Sequence, residues 1–133
     1  MNRRRLISMA AAAWQAAPLC AVHAADYPAR PTTLVVGFPA GGGADTVARI
    51  VSDKLGKVLG QAVIIDNKPG AGTTIASDFV ARAAPDGYTL LLGSSNLYGS
   101  DKLLYKGVKY DGTRSFTPIS RWSSAPLLLA VHK

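Results

Sequence analysis

Chemistry in this chain centres on a run of small residues, Pro39-Ala40-Gly41-Gly42-Gly43, that leads into Ala44-Asp45. Glycines in series let backbone N–H groups approach a ligand with no Cβ in the way. If a helix follows, its N-terminus adds a preference for negative charge. Two further loops have the same character, Pro69-Gly70-Ala71-Gly72-Thr73 and Gly93-Ser94-Ser95-Asn96. Other chemistry is scarce. The chain has no Glu, one Cys (Cys20) and two His residues, His23 and His132. A Ser-His-Asp arrangement would need His132, and no G-x-S-x-G elbow exists because Gly93-Ser94-Ser95-Asn96-Leu97 lacks its last glycine. A His/Cys metal cluster fails on the same residue count. The composition therefore points to binding through backbone groups, with no enzyme activity and no cofactor.

The glycine loops fit no nucleotide motif. A phosphate-binding loop ends in Gly-Lys-Ser/Thr, whereas Gly43 precedes Ala44-Asp45, and an Asp facing the anion would repel phosphate. A dinucleotide fingerprint starting at Gly70 fails at Ile75, where a small residue is required. For any single loop, a plain tight turn is an equal alternative. Three such loops at one sheet end favour a site.

The elements that must position these loops follow from periodicity. Thr33 to Phe38 is an apolar, β-branched run and predicts a buried strand. Val47, Ile50, Val51, Leu55, Val58 and Leu59 recur at helical spacing, with Asp45 or Thr46 near the N-cap and Gly60 as the stop. Val63-Ile64-Ile65 predicts a second strand. Ile75, Phe79, Val80 and Ala83 predict the inward stripe of a second helix, broken by Pro85-Asp86-Gly87. Tyr88 to Leu92 predicts a third strand. The order strand, helix, strand, helix, strand implies an α/β fold with a parallel βαβαβ core and its ligand site beyond the carboxyl ends of the strands.

Residues 1–24 read as an export signal: Arg3-Arg4-Arg5, then an Ala-rich apolar segment, then Val22-His23-Ala24 at the cleavage site. The arginines also fit a twin-arginine pattern, so either export route is open. Pro18-Leu19 is a poor match to the residues expected before an acylated Cys20, so no stable membrane anchor is expected. Of 133 residues, 15 are basic and eight acidic, a formal +7. Removing the signal leaves twelve basic residues against eight acidic, a formal +4, and removes the only Cys. The remaining Lys and Arg are scattered without interleaved aromatics, which argues against nucleic acid as a partner.

Several blocks in order resemble the extracytoplasmic solute receptors of tripartite tricarboxylate transporters, the Bug receptors. They are Tyr27-Pro28-Ala29-Arg30-Pro31, Val36 through Arg49, Leu59-Gly60-Gln61, Asn67-Lys68-Pro69-Gly70-Ala71-Gly72, Ala84 through Leu91, and Tyr110-Asp111 with Phe116-Thr117-Pro118-Ile119. The resemblance implies a periplasmic binding protein of two α/β lobes that closes on a small carboxylate ligand and delivers it to membrane transporter subunits. It also implies that the first loop, here Phe38, Ala40, Gly41, Gly42, Gly43 and Asp45, binds a ligand carboxylate through backbone amides and bridging waters. Gly93, Ser94, Ser95 and Asn96 would face the same cleft, and so would Gly70, Gly72 and Thr73. Where the family has Asn-Pro and then Leu-Pro-Tyr-Asp, this chain has Ser100-Asp101-Lys102 and Val108-Lys109-Tyr110-Asp111.

Length sets a further expectation. Residues 25–133 correspond to the N-terminal part of the first lobe, and Leu127 to Val131 resembles a strand approaching an interlobe crossover, so the sequence reads as truncated before the second lobe. Micromolar affinity needs about −8.2 kcal/mol on top of roughly 4–15 kcal/mol of lost ligand freedom. Two or three amide bonds at about 1.5–3 kcal/mol each fall short of that, so impaired binding is expected. The alternative is a self-associating small α/β interaction domain with an exposed sheet edge and no transport role.

Overall fold

A computed structural model describes residues 27–124. The predicted signal segment 1–24, Cys20, His132 and the apolar segment after Pro126 lie outside the described residues. Three strands form one parallel sheet: β1 (Thr32–Val36), β2 (Val63–Asn67) and β3 (Thr89–Leu92), in the order β2-β1-β3. Between them run helix α1 (Gly43–Leu59) and helix α2 (Thr74–Ala81), and a short helix α3 (Ser100–Leu104) follows. The predicted alternation of strand and helix is the observed one.

β1 lies in the middle because it is apolar on both faces. Leu34 and Val36 form a core with Ala48 of α1, joined by Phe38, Val63, Ile65, Leu90, Leu92 and Trp122. Val35 points the other way and is equally buried. The register places Leu34 opposite Ile65 and Leu90, and Val36 opposite Asn67 and Leu92. All three strands therefore end at one level.

The helix faces differ from the periodicity prediction. Val47, Ile50 and Val58 of α1 are exposed, Val58 at 83%, while Ala48 and Ser52 are buried. In α2, Ile75 and Phe79 are half-exposed and Ala76 and Ser77 face inward. Small side chains occupy the inward positions of both helices, and the larger apolar residues are left on the outward side. Phe79 is partly covered by the Lys68 ammonium, 4.4 Å above its ring. The α1 stop follows expectation, with Gly60 left-handed at φ 68°.

Two clasps secure the periphery. Before β1, the Tyr27 hydroxyl donates to the Gly87 carbonyl at 2.7 Å and Arg30 pairs with Asp86 at 2.9 Å, binding the entry segment to the turn before β3. After α3, the buried Tyr110 hydroxyl donates to Asp101 Oδ2 at 2.6 Å, and the Tyr110 ring meets Phe116 edge-on at 5.7 Å. Burial, and then the Asp101 carboxylate, push the Tyr110 hydroxyl up to about 12. Its folded value is raised, so its contribution is complete below about pH 10 and is lost as pH rises through about 12.

Asp101 Oδ1 is buried without a partner, so the Tyr110 hydroxyl is the one donor reaching this carboxylate among the described residues. Y110F should lower unfolding stability by about 1–3 kcal/mol in urea melts at pH 7. It should also remove the stability loss expected of the wild type between about pH 10 and 12.

Candidate functional site

The first loop is built around Asp45, in the first turn of α1. This side chain is 1% exposed and accepts four hydrogen bonds. Its Oδ2 takes the Gly41 N–H at 2.8 Å and Arg49 Nε at 2.8 Å. Its Oδ1 takes Asn67 Nδ2 at 2.9 Å and Arg49 Nη2 at 3.2 Å. The Arg49 hydrogen bonds, then those from Gly41 and Asn67, hold the Asp45 carboxyl well below the usual carboxylate range. Asn67 Nδ2 also donates to the Phe38 carbonyl at 3.1 Å.

Asp45 therefore faces the protein, and the feared repulsion of an anion is met locally. The Arg49 guanidinium neutralises the carboxylate in place. The Gly43, Ala44 and Asp45 amides at the head of α1 keep their electropositive character, with no hydrogen-bond acceptor of their own helix available to them, whereas the Thr46 N–H is taken by the Gly42 carbonyl. Gly41 adopts φ +82°, where a side chain is strained. A Cβ on Gly41 or Gly43 would meet nothing within 4 Å, so the space in front of the loop is open. Gly42 is tighter, its notional Cβ 3.3 Å from the Pro39 carbonyl.

The second loop is wound left-handed through four residues: Gly70 at φ 128°, Ala71 at 44°, Gly72 at 61° and Thr73 at 81°. Two of these carry a Cβ, and non-glycine residues in this region cost about 1–3 kcal/mol each. The conformation persists because Thr73 is buried and its N–H is bonded to the Gly70 carbonyl at 3.0 Å. The third loop follows β3: Gly93 and Ser94 lead into a 3-10 turn, Ser95–Tyr98, anchored by buried Leu97.

The second and third loops meet beside Gly37, where the chain leaves β1 for the first loop. Gly37 is buried against Thr73, so closely that a Cβ there would lie 2.7 Å from Thr73 Cβ. Thr73 Oγ1 lies 3.5 Å from Ser94 Oγ. Ser95 and Asn96 are exposed beside them. The structure thus brings Thr73 and Ser94 together and places Gly41 to Gly43 at the head of α1. Asn67 and Arg49 were not among the predicted site residues. The signals for Asn67 were its place as a polar residue ending an apolar strand and its position at the start of the Asn67-to-Gly72 block of the resemblance.

The loops form a shelf rather than an enclosed cleft. One concavity of about 660 Å³ runs along α1 and β2 past Ser52, Gly56 and Val63, and another of about 300 Å³ lies between α2 and Tyr105-Lys106. Gly41, Gly43, Ser94 and Asn96 line neither. Among the described residues no group of three His, Cys, Asp or Glu could hold a metal ion, and no helix is long and apolar enough to cross a membrane.

A parallel α/β unit of this kind takes ligands beyond the carboxyl ends of its strands, where the glycine loops lie. Comparison with known proteins gives the family. Residues 47–133 match the model of TctC, the tripartite tricarboxylate transporter family receptor. A protein from the tcbD-tcbE intergenic region of Pseudomonas sp. (strain P51) is 39% identical over 98% of this chain and 39% of its own length. The periplasmic binding protein BugD superposes with a TM-score of 0.66 at 45% identity, over 70% of this chain and 31% of that one. MatC from Rhodopseudomonas palustris with bound malate gives 0.65 at 43% identity, over 69% and 31%.

The chain belongs to the tripartite tricarboxylate transporter receptor family. Its members are solute-binding receptors, not enzymes. The chain spans about two fifths of the length of the curated relative it matches.

Two outcomes check the site's construction. Asp45 and Asp111 both have depressed carboxyl values, Asp111 through Thr113 and Lys102. A depressed folded value gives stability that is present above the unfolded value of about 4 and is lost as pH falls toward the folded one. Urea midpoints should hold steady from pH 7 to 5 and drop below about pH 4, and the D45N/D111N double variant should flatten that drop. G37A should force Thr73 away from β1 and cost about 1–3 kcal/mol in the same assay.

Proposed function

We propose that the chain supplies one wall of a periplasmic receptor site for a small carboxylate-bearing solute, which the receptor delivers to the membrane subunits of a tripartite tricarboxylate-type transporter. Residues 1–24 act as the export signal. A carboxylate sits before Gly41 to Gly43, within reach of the first-turn amides of α1 and the Ser94 to Asn96 loop. Ser94, Ser95 and Asn96 supply neutral donors that hold a carboxylate without discriminating strongly among anions.

The observation that carries this reading is the neutralised Asp45. With its charge absorbed by Arg49 and its oxygens filled, the head of α1 attracts an anion despite an acidic residue in its first turn. MatC, similar to this chain over the same lobe, was solved with malate bound. The open shelf among the described residues offers a few amide bonds, so binding by the 133-residue chain alone falls near millimolar, about −4 kcal/mol.

The test is a malate titration of the labelled chain, followed through its amide resonances. Saturable shifts confined to Gly41 to Ala44 and Ser94 to Asn96 are expected at millimolar ligand. Absence of any saturable shift up to about 50 mM, or shifts clustered elsewhere, would overturn the reading. Self-association through the β2 edge is the second reading, favoured by half-exposed Ile64 on that edge strand. A discrete dimer in light scattering together with silence toward malate would replace the first reading by the second.

A further inference from the structure

We propose that Asn67 is a positioning residue for the carboxylate site, clipping the first loop at both ends with a single side-chain nitrogen. Asn67 closes β2, and its Nδ2 reaches the Phe38 carbonyl at 3.1 Å and Asp45 Oδ1 at 2.9 Å. Phe38 begins the loop and Asp45 ends it. The same carboxylate holds the Gly41 N–H in the middle at 2.8 Å. Both groups facing Asn67 are acceptors, so the side chain is oriented by chemistry with its NH2 toward them. A primary amide alone among the neutral side chains offers two protons from one nitrogen in that geometry.

The rest of the loop has little else to hold it. Gly42 is held by the long contact of its N–H to the Pro39 carbonyl at 3.4 Å and by Thr46, whose N–H and Oγ1 donate to the Gly42 carbonyl at 2.9 and 3.1 Å; these bonds tie it to its own loop and helix and not to the sheet, and Ala40, Gly41 and Gly43 are exposed. Arg49 neutralises Asp45 from the solvent side but touches neither Phe38 nor Gly41 among the described contacts. Asn67 is therefore the link that fixes loop and helix head relative to the sheet. Through it the direction of the ligand-facing amides is set by β2, a strand that carries no ligand-facing residue itself. The proposal rests on the carboxylate-site reading for its consequence in binding, and on the loop geometry alone for its structural part.

The test uses N67D and N67A in the same 133-residue chain. The charged groups facing position 67 are Asp45 and Arg49 of α1, while the neighbouring Asp66 and Lys68 pair with each other at 3.1 Å. In N67D at pH 7.5, two carboxylates oppose each other. The Gly41 amide should lose its Asp45 partner and exchange with solvent at least about tenfold faster. Near pH 5 a shared proton should restore the contact, so the Gly41 resonance titrates in N67D and stays flat between pH 5 and 8 in the wild type. N67A should show the faster exchange at every pH.

Affinity for malate, read from the amide shifts, should fall about tenfold in both variants at pH 7.5 and recover toward pH 5 in N67D alone. Unchanged Gly41 exchange in folded N67A overturns the proposal. If Gly41 responds as expected but the wild type ignores malate, the clip stands and the receptor reading falls. If N67D gives no dispersed spectrum, N67S keeps one donor for two acceptors and should show intermediate Gly41 exchange; wild-type exchange in N67S overturns the proposal equally.

Discussion

Parallel pairing of β1 on both sides, in one register, is the constraint on which everything else depends. Val36 lies opposite Asn67 on one side and Leu92 on the other. The chain therefore leaves all three strands at the same level, and three segments far apart in sequence become neighbours. Had either flanking strand slipped by one residue, its apolar face would have turned outward and its loop would have moved along the sheet by a strand step of about 3.3 Å. Gly37 could not then sit against Thr73, nor Thr73 beside Ser94. The shelf of donors is a consequence of register before it is a property of any loop.

On that frame, charge is arranged so that an acidic residue serves an anion site. An Asp in the first turn of a helix ordinarily stabilises the helix by opposing its dipole, and the same charge would turn away a carboxylate ligand. Here the cost is avoided by direction: the Asp45 oxygens face Gly41, Arg49 and Asn67, all donors, and are sealed from the open side. The helix keeps its cap-like stabilisation, and the amides ahead of it keep their attraction for negative charge.

The strands, the helix order and the loops at the strand ends were legible because each rests on local pattern: β-branched runs, helical spacing, glycine clusters. The helix faces were not. Val47, Ile50, Ile75 and Phe79 have the spacing of an inward stripe, yet Ala48, Ser52, Ala76 and Ser77 hold that position, since the face that packs is decided by the partner surface and leaves no mark in periodicity. Asp45 was legible as a residue of the loop but not in its direction, which depends on Asn67, 22 positions later. The left-handed run at Ala71 and Thr73 was equally hidden, because neither residue type announces a positive φ.

The position of β1 also bears on how the lobe assembles. It is the first strand made, and pairs of contacting residues lie 31 apart for β2 and 56 apart for β3. The entropic penalty of the longer closure exceeds the shorter by only about 0.5 kcal/mol, so thermodynamics hardly separates the two steps. Availability does: the bonds that Asp45 makes with Gly41 and Asn67 lie wholly within the β1-α1-β2 unit, which is made before β3. The bonds of the first loop thus belong to the earlier unit, whereas the Thr73 and Ser94 side of the shelf waits for β3 to dock. A nascent chain acquires the electropositive corner of its site first and the neutral polar rim last.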